Sequence, residues 1–350
     1  MLKFVVNRWF LLSLTGLIAL GMALGFNWPG HVQPIADAIN PLLSTAAILF
    51  LMSFSLETRQ LQAALRTPLP VFLGTALNIG LAPLLGAALM APQGLADFRY
   101  GLLVASCVPC TMAAASVWTR KAHGNDAISL LVTLITNSLS ILTIPFWLAL
   151  ATTWFPIANT GAASLAGNGQ LLDLRQTVLE LVVGVLVPII LGQVFRQPAR
   201  IGAWVAQHRA GISATAQILI LVMVWTAAVK GGVRITQTKL IISLSSVLLV
   251  WGSVIVVHLV TLYAGLYLSQ ALRVARADQI AVAFAGSQKT LPVGLLLSET
   301  LSRQAGLSFA VFPMLMYHAS QLFLDTIIAE RFVAEEKAAE KKDLSSSPAV

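Results

Sequence analysis

The sequence predicts an all-α integral membrane protein with ten transmembrane helices, and three observations support that prediction. Hydrophobic residues make up 57% of the 350 residues and charged residues only 10%, with a mean hydropathy of +0.82. A soluble domain carries about 25% charge, so this chain cannot cover a water-facing surface of its size. Ten separate stretches are long and apolar enough for a helix that crosses a bilayer, which needs about 20 residues. A soluble enzyme, a nucleic-acid-binding domain and a disordered scaffold are excluded.

The predicted spans are separated by short connections that hold most of the charged residues. In chain order the spans cover residues 10–27, 35–56, 69–91, 100–117, 127–154, 178–195, 212–229, 240–268, 279–297 and 307–329. The longest connection follows the fifth span and is rich in Gly, Ala, Asn and Ser, which is typical of a linker between two halves.

This linker divides the chain into four parts. They are a first five-helix repeat (1–154), the linker (155–175), a second five-helix repeat (176–332) and a charged cytoplasmic tail (333–350). The tail mixes charges with Ser and Pro, so we expect it to be solvated and partly disordered. An odd number of helices in each half inverts the second half relative to the first, which is the architecture of many secondary transporters.

The first span has two interpretations. Lys3 and Arg8 precede it, and Ala23-Leu24-Gly25 offers a weak cleavage site, as in a secretory signal peptide. The apolar run is long for such a peptide and nine more spans follow, so we expect the helix to be retained.

The distribution of basic residues predicts the orientation. With a cytoplasmic N-terminus, fifteen of the 22 Lys and Arg residues fall on the cytoplasmic side, six fall on the other side, and Lys289 lies inside a span. The positive-inside rule then places both termini in the cytoplasm, despite a basic cluster at 230–239 on the opposite side. We expect a multi-pass protein of the inner (plasma) membrane. Because its net charge of +8 lies mainly in these loops, the charge indicates contact with anionic lipid, and we expect no nucleic-acid partner.

Spans four and nine are both interrupted, one by Pro109 and the other by Gly286 and Pro292. A proline inside a helix removes one N–H and clashes with the carbonyl four residues back, which frees the carbonyls of Ala105 and Gln288. Freed carbonyls are tolerated at membrane depth only where protein or a water-filled cavity satisfies them. Two interruptions at corresponding positions of the two halves favour a polar binding cavity near the midplane over two packing kinks.

Lys289 is the only basic residue well inside a predicted span, where a lysine costs about 2.5–3.5 kcal/mol. The structural interpretation is an ion pair with a carboxylate elsewhere in the chain. The functional interpretation is that its ammonium occupies the space of a transported cation, or exchanges protons during transport. Because a lysine at this depth is costly, the functional interpretation is favoured over the structural one.

Other polar residues inside the spans form interhelical hydrogen bonds or belong to a site. His318 and Gln321 lie one helical turn apart and share a face, and a binding role for the pair is as well supported as a structural one. His258 also lies within a span. Glu180 and Asp325 are placed near span ends, where we expect them to reach the membrane interface.

Cys107 and Cys110 form a C-x-x-C pair that Pro109 interrupts. Such a pair marks redox or metal chemistry only in suitable surroundings, so we favour a packing role. The sequence contains no H-E-x-x-H, G-x-S-x-G or Walker A motif. We therefore expect neither an enzyme nor an ATP-driven pump.

Three segments resemble the bile acid:sodium symporter family. Residues 113–133, AAASVWTRKAHGNDAISLLVT, are similar to its fourth helix, Gly-Asn turn and fifth helix in that order. Residues 283–294, AFAGSQKTLPVG, and 312–321, FPMLMYHASQ, resemble the branch of solute carrier family 10 member 7. The likeness covers nearly the whole chain.

The resemblance implies that broken helices four and nine cross in a core domain that faces a panel domain. It also implies cation-coupled transport of organic anions by alternating access. A sodium site between helices four, five and nine is implied at Ser116, Ser129, Thr133 and Gln288. The helix-nine Glu that bridges two sodium ions in sodium-coupled relatives falls at about Ala285 here, with Lys289 beside it. Because a carboxylate is lost and an ammonium gained, both sodium and the proton stay open as the coupling ion.

The candidate substrate- and cation-binding residues are Thr111, Ser116, Asn125, Ser129, Thr133, Asn137, Ser287, Gln288, Lys289, Thr290, His318 and Gln321. We expect a small organic anion as substrate, no cofactor beyond a coupling ion, and a monomer or homodimer in the bilayer. An arsenite carrier of the same superfamily, with a thiolate from Cys107 or Cys110, is an alternative that lacks the helix-nine Glu. A membrane thiol oxidoreductase using this pair and a channel or ligand sensor are further alternatives.

Overall fold

The computed structural model describes residues 2–57, 67–112, 114–155, 172–238 and 242–346, with the backbone alone described for 2–8, 11, 238 and 339–346. Regular structure within these ranges is helical. The helices are α1 (Leu2–Asn27), α2 (Pro29–Ala38), α3 (Pro41–Phe54), α4 (Pro68–Ala88), α5 (Ala96–Cys107), α6 (Ala114–Lys121), α7 (Asp126–Trp154), α8 (Leu174–Arg196), α9 (Ala199–Thr238), α10 (Leu244–Ala271), α11 (Arg276–Ser287), α12 (Leu291–Ala305) and α13 (Val311–Ser346). Helices α4 and α8 each contain one π-helical turn, Leu77–Leu81 and Val182–Leu186. Most of the predicted linker, 156–171, lies outside the described residues.

The prediction of an all-α membrane protein is confirmed. Within the described ranges, six helical segments are long and apolar enough to cross a bilayer: α4, α7, α8, α9, α10 and the joined pair α11–α12. Helices α2 and α3, which are bent by 52° at their junction, make a seventh if they form one span. The count of ten stays a prediction, because predicted spans one, four and ten are not among these segments. The apolar part of α1 is only Leu12–Asn27, predicted span four is divided into α5 and α6, each too short to cross alone, and α13 is not among the candidate spans.

The helices pack in two groups. The panel group, α1–α3 with α8 and α9, has α1 lying along α9 and α3 lying against α8 and α9. Gly25 on α1 and Gly232 on α9 allow this close crossing, because a Cβ at either would overlap the backbone of the other helix. The core group consists of α4–α7 and α10–α13. The groups meet where α12 packs on α3 and α9, and where α7 packs on α8.

The two interruptions predicted from proline are complete breaks in the helices. The first break, residues 108–112, separates α5 from α6, and the second break, residues 288–290, separates α11 from α12. Pro109 lies in the extended chain of the first break. Pro292 lies in the first turn of α12, where a residue without an N–H loses no helical bond. The N–H of Thr290 donates to the carbonyl of Pro109 at 2.9 Å, so the two breaks touch.

The C-terminal tail differs from the prediction of partial disorder, because α13 continues as a helix to Ser346. Two glutamates explain why the helix stays against the core group. Glu335 pairs with Arg276 at 3.5 Å and Glu336 pairs with His123 at 2.6 Å. The sequence of this segment is also rich in Ala, Glu and Lys, which favour helix. Residues 347–350 lie outside the described part of the chain.

Candidate functional site

The candidate site is the crossing of the two breaks, at the centre of the core group. Gln288 and Lys289 have 0% of their surface exposed and Thr290 has 1%. Every predicted site residue of the second break is therefore enclosed by protein. Charge and freed backbone groups must be satisfied here by neighbouring side chains.

Lys289 reaches across the crossing to α4. Its Nζ donates to the backbone carbonyl of Asn78 at 2.7 Å and lies 3.4 Å from Asn78 Oδ1. Among the described residues, no carboxylate lies within 4 Å of this nitrogen. The geometry is that of an amine held by neutral oxygens, and it does not match the structural ion pair considered from the sequence.

The π-helical turn Leu77–Leu81 explains why the carbonyl of Asn78 is available. In this turn the N–H of Ala82 donates to the carbonyl of Leu77, five residues back. The next possible donor would be the N–H of Pro83, which proline lacks. The carbonyl of Asn78 thus has no partner within its own helix and accepts from Lys289 instead. Such π turns are frequent at functional sites.

The side chain of Asn78 satisfies the end of α11. Its Nδ2 lies 3.1 Å from the carbonyl of Ala285, 3.2 Å from that of Gly286 and 3.0 Å from that of Gln288. The last of these is one of the two carbonyls that proline was predicted to free. A single amide therefore terminates the broken helix in place of water.

Gln321 on α13 binds the backbone of the second break. Its Oε1 accepts from the N–H of Lys289 at 2.9 Å, and its Nε2 donates to the carbonyl of Lys289 at 3.0 Å. Nδ1 of His318 lies 2.9 Å from the same amide nitrogen. Both residues of the pair predicted from helical spacing thus lie at the site, where Gln321 binds the N–H and the carbonyl of Lys289.

Asp325 was missed as a site residue, and the expectation that it reaches the membrane interface is wrong. It is 0% exposed, and its Oδ1 accepts from Nε2 of His258 on α10 at 2.9 Å. Its Oδ2 accepts from Nε2 of Gln288 at 2.6 Å. The available signal was spacing, since Asp325 lies four residues beyond Gln321 and shares its helix face with His318.

Three predicted residues on α7 bind the first break or α6, the helix after it. Asn137 donates to the carbonyl of Cys110 at 2.9 Å, and Thr133 Oγ1 lies 3.2 Å from Cys110 Sγ. One turn earlier, Ser129 Oγ lies 2.7 Å from Thr119 Oγ1 on α6. These side chains are one helical turn apart, so they form a stripe of hydroxyl and amide groups along α7.

The predicted sodium ligands are only partly brought together. Ser129 and Thr133 are neighbours, and Ser116 is buried on α6. Gln288 makes no hydrogen bond to Ser129 or Thr133 among the described residues, because its amide nitrogen is bound to Asp325. Its Oε1, however, is buried without a hydrogen-bond partner.

The remaining predicted residues lie around the crossing or away from it. Thr111 is buried in the first break, and its carbonyl lies 3.4 Å from Thr133 Oγ1. Ser287 closes α11, and its carbonyl accepts from Tyr317 at 2.8 Å. Asn125 lies farther away, where its Nδ2 donates to Asp278 at 2.8 Å and ties the start of α7 to the start of α11.

Three buried oxygen atoms at the crossing have no hydrogen-bond partner. They are Oδ1 of Asn137, Oε1 of Gln288 and Oγ1 of Thr290. Buried polar atoms are rarely left unpaired unless a water, an ion or a substrate group satisfies them. Amide and hydroxyl oxygens are also the ligands that hard cations prefer.

A cavity of about 320 Å³ lies between the panel and core groups, beside the first break. Its walls include Thr111 of the break and His318 of α13, with aromatic and aliphatic side chains around them. Among the described residues, its lining contains no Lys, Arg, Asp or Glu. A smaller, more polar cavity of about 230 Å³ lies where α9 meets α12, and it includes Lys230 and Glu299.

Comparison with known proteins identifies relatives over nearly the whole chain. The family model described as the SBF-like CPA transporter family matches residues 8–334. The chain is 26% identical over 325 residues to "Probable sodium/metabolite cotransporter BASS4, chloroplastic" of Arabidopsis thaliana, covering 91% of this chain and 71% of the relative. It is 26% identical over 277 residues to "Putative symporter YfeH" of Escherichia coli K12, covering 76% of each. It is 21% identical over 334 residues to "Sodium/bile acid cotransporter 7" of Mus musculus, covering 92% and 91%.

Proposed function

Because the chain belongs to the SBF-like CPA transporter family, whose members are secondary transporters and not enzymes, we propose that it carries a small organic anion by alternating access. The names of the relatives support a small-molecule substrate and cation coupling. The observation that carries the proposal is the contact between two helix breaks at a buried lysine. Broken helices that meet in the protein interior are the binding-site device of secondary transporters.

The proposal includes ten helices in two inverted repeats. Helices α5 and α6 would together be the fourth span, and α11 and α12 the ninth. Supporting this, each half contributes one broken helix to the core group, and the N–H of Thr290 donates directly to the carbonyl of Pro109 in the other half. Both termini would be cytoplasmic in an inner membrane, because the basic residues predict that orientation.

The larger cavity would hold the substrate. It lies beside the first break and between the two helix groups that must move against each other. Its wall is mainly apolar, with Trp9, Phe10 and Trp118, and it offers hydrogen-bonding groups from Gln217 and His318. Such a wall suits an amphipathic organic molecule, whose apolar body contacts the rings while a few polar groups fix its orientation.

Lys289 would act as a fixed cation at the crossing. Sodium-coupled carriers hold a mobile cation with neutral oxygens, and here Asn78 offers such oxygens to an ammonium that is part of the chain. The three unpartnered oxygens beside it would accept a second cation or water. Sodium and the proton therefore both remain candidate coupling ions, and the substrate stays unassigned beyond its class.

The thiol alternatives lack the access that they require. Cys107 and Cys110 are both free and buried, and the groups around Cys110 are the side chains of α7. A redox partner has no direct route to this pair in the described structure. The geometry favours packing and positioning of the first break by these cysteines.

Counterflow in proteoliposomes tests the proposal. Vesicles preloaded with an unlabelled organic anion should accumulate the same labelled anion transiently, with a rate that saturates; a panel beginning with taurocholate and small dicarboxylates serves as the probe. A channel gives no counterflow overshoot. Saturable counterflow of organic cations with none for any anion would overturn the proposed substrate class, and absence of a carrier signal for every probe would overturn the mechanism.

A further inference from the structure

The two cavities lie at opposite ends of the boundary between the panel and core groups. Helix α9 lines both, with Gln217 at the larger cavity and Lys230 at the smaller one. These residues are thirteen positions apart, which is about 20 Å along a helix. The boundary therefore has the larger, mainly apolar cavity at one end and the smaller, more polar cavity at the other, which we call the narrow end.

Helix α12 carries two opposite charges, Glu299 and Arg303, at the narrow end. Glu299 Oε1 lies 2.9 Å from Nζ of Lys230 on α9. Arg303 Nη2 lies 2.7 Å from Oε1 of Glu180 on α8. One core helix thus binds two different panel helices, and Asp37 of α2 adds a further contact to Lys230 at 3.5 Å.

Both of these ion pairs cross between the groups. Eight further ion pairs of the described residues each join residues of a single group. At the larger cavity, panel and core meet through the rings of Phe10 and His318, whose centroids are 6.3 Å apart. Charge-based attachment between the groups is thus concentrated at the narrow end.

Close packing accompanies the charges at this end. Gly231 of α9 faces Phe312 of α13, and a Cβ added at Gly231 would lie 2.8 Å from the ring. The polar cavity at this end holds Lys230 and Glu299, whose side chains are 26% and 23% exposed. Water therefore reaches this ion pair, while Gly231 and Phe312 pack closely beside it.

We propose that Glu299 and Arg303 make α12 a two-ended ionic clamp, which holds this end of the transport path closed and must release both panel helices when that end opens. The inference rests on the proposed alternating access. Partly exposed ion pairs suit such a device, because each contributes only a modest free energy and water can replace its partner. A buried pair would be costly to separate in every cycle.

Site-specific labelling in nanodiscs tests the clamp without any substrate. Ser302→Cys places a thiol at the narrow cavity and Ser213→Cys places one at the larger cavity, while the native cysteines are buried. In a Glu299→Gln/Arg303→Gln background, the rate of maleimide labelling at position 302 should rise at least about threefold, and the rate at position 213 should fall. Lys121→Gln, which breaks an ion pair within the core group, should change neither rate.

A charge exchange separates the clamp from general loosening. Arg303→Glu alone should raise labelling at position 302 most, since it places two carboxylates together. Adding Glu180→Arg should restore the parent rate. Unchanged labelling at position 302 in the clamp variants, or equal increases at both positions, would overturn the clamp. Because labelling needs no anion, a failure of the clamp is distinguishable from a failure of the transport proposal.

Discussion

The two breaks at the centre of the molecule share a backbone design and differ in chemistry. In each case an amide side chain binds the exposed backbone from the helix that follows the broken pair. Asn137 on α7 binds the first break and Gln321 on α13 binds the second. The first break is otherwise surrounded by thiol and hydroxyl groups. The second contains Lys289 and contacts Asp325 through its neighbour. The feature that the two breaks share thus supplies geometry, and among the described residues the charged side chains at the crossing, Lys289 and Asp325, come from the second half of the chain.

Lys289→Met removes the charge that distinguishes the second break. We expect the rate of counterflow to fall at least about tenfold, because the crossing loses its fixed cation while the apolar stem is kept. The variant should still insert, since a buried ammonium is costly and methionine is not. Lys121→Met, at an exposed lysine with a similar stem, serves as the matched control and should retain the parent rate. Parent-like counterflow in the Lys289 variant would remove this residue from the mechanism.

Asp325→Asn removes the carboxylate that contacts the second break through Gln288. Asparagine keeps one acceptor oxygen and replaces the other by an amide donor, so either His258 or Gln288 is left facing a donor within a buried site. We expect the free energy of unfolding to fall by about 3 kcal/mol. Asp126→Asn, in a partly exposed pair with Arg120, should cost less than about 1 kcal/mol. Thermal unfolding in detergent compares the two variants. Equal losses would mean that the buried pair adds no more stability than a surface pair.

Asn78→Ala and Asn137→Ala compare the amides that satisfy the two broken helices. Asn78 Nδ2 shares its two N–H groups among three carbonyls at the end of the second broken helix. Asn137 Nδ2 binds one carbonyl of the first break, that of Cys110, and one in its own helix, that of Thr133. Each unsatisfied buried carbonyl costs about 1–3 kcal/mol. We therefore expect Asn78→Ala to lower the melting temperature more than Asn137→Ala does. The reverse order would indicate that water satisfies the second break more readily than the first.

The hydropathy of the sequence predicted most of the membrane helices, and two prolines predicted where the chain breaks. Both signals are local, because apolar length and a missing N–H act on the segment that contains them. The spacing of His318 and Gln321 predicted their common face for the same reason.

The partners at the crossing could not be predicted from local signals. Asp325 is buried because His258, 67 positions earlier, packs against it. The carbonyl that receives Lys289 belongs to Asn78, 211 positions away. Pro83 was visible in the sequence, but its effect becomes a binding feature only when folding brings a lysine to the freed oxygen. Such contacts depend on tertiary packing and carry no periodicity of their own.

Stabilisation by sodium, the smallest effect that we expect, tests whether Lys289 replaces a mobile cation. If its ammonium occupies the position of a sodium ion, then Lys289→Met leaves the oxygens of Asn78 and the unpartnered oxygens at the crossing free to bind sodium. A ligand that binds only the folded state stabilises it by about 1.4 kcal/mol at ten times its Kd. Sodium, compared with choline at equal ionic strength, should therefore raise the melting temperature of Lys289→Met more than that of the parent. Thr290→Val, which removes one of those oxygens, should reduce the difference. A larger sodium effect in the parent than in Lys289→Met would instead place a mobile cation beside the intact lysine.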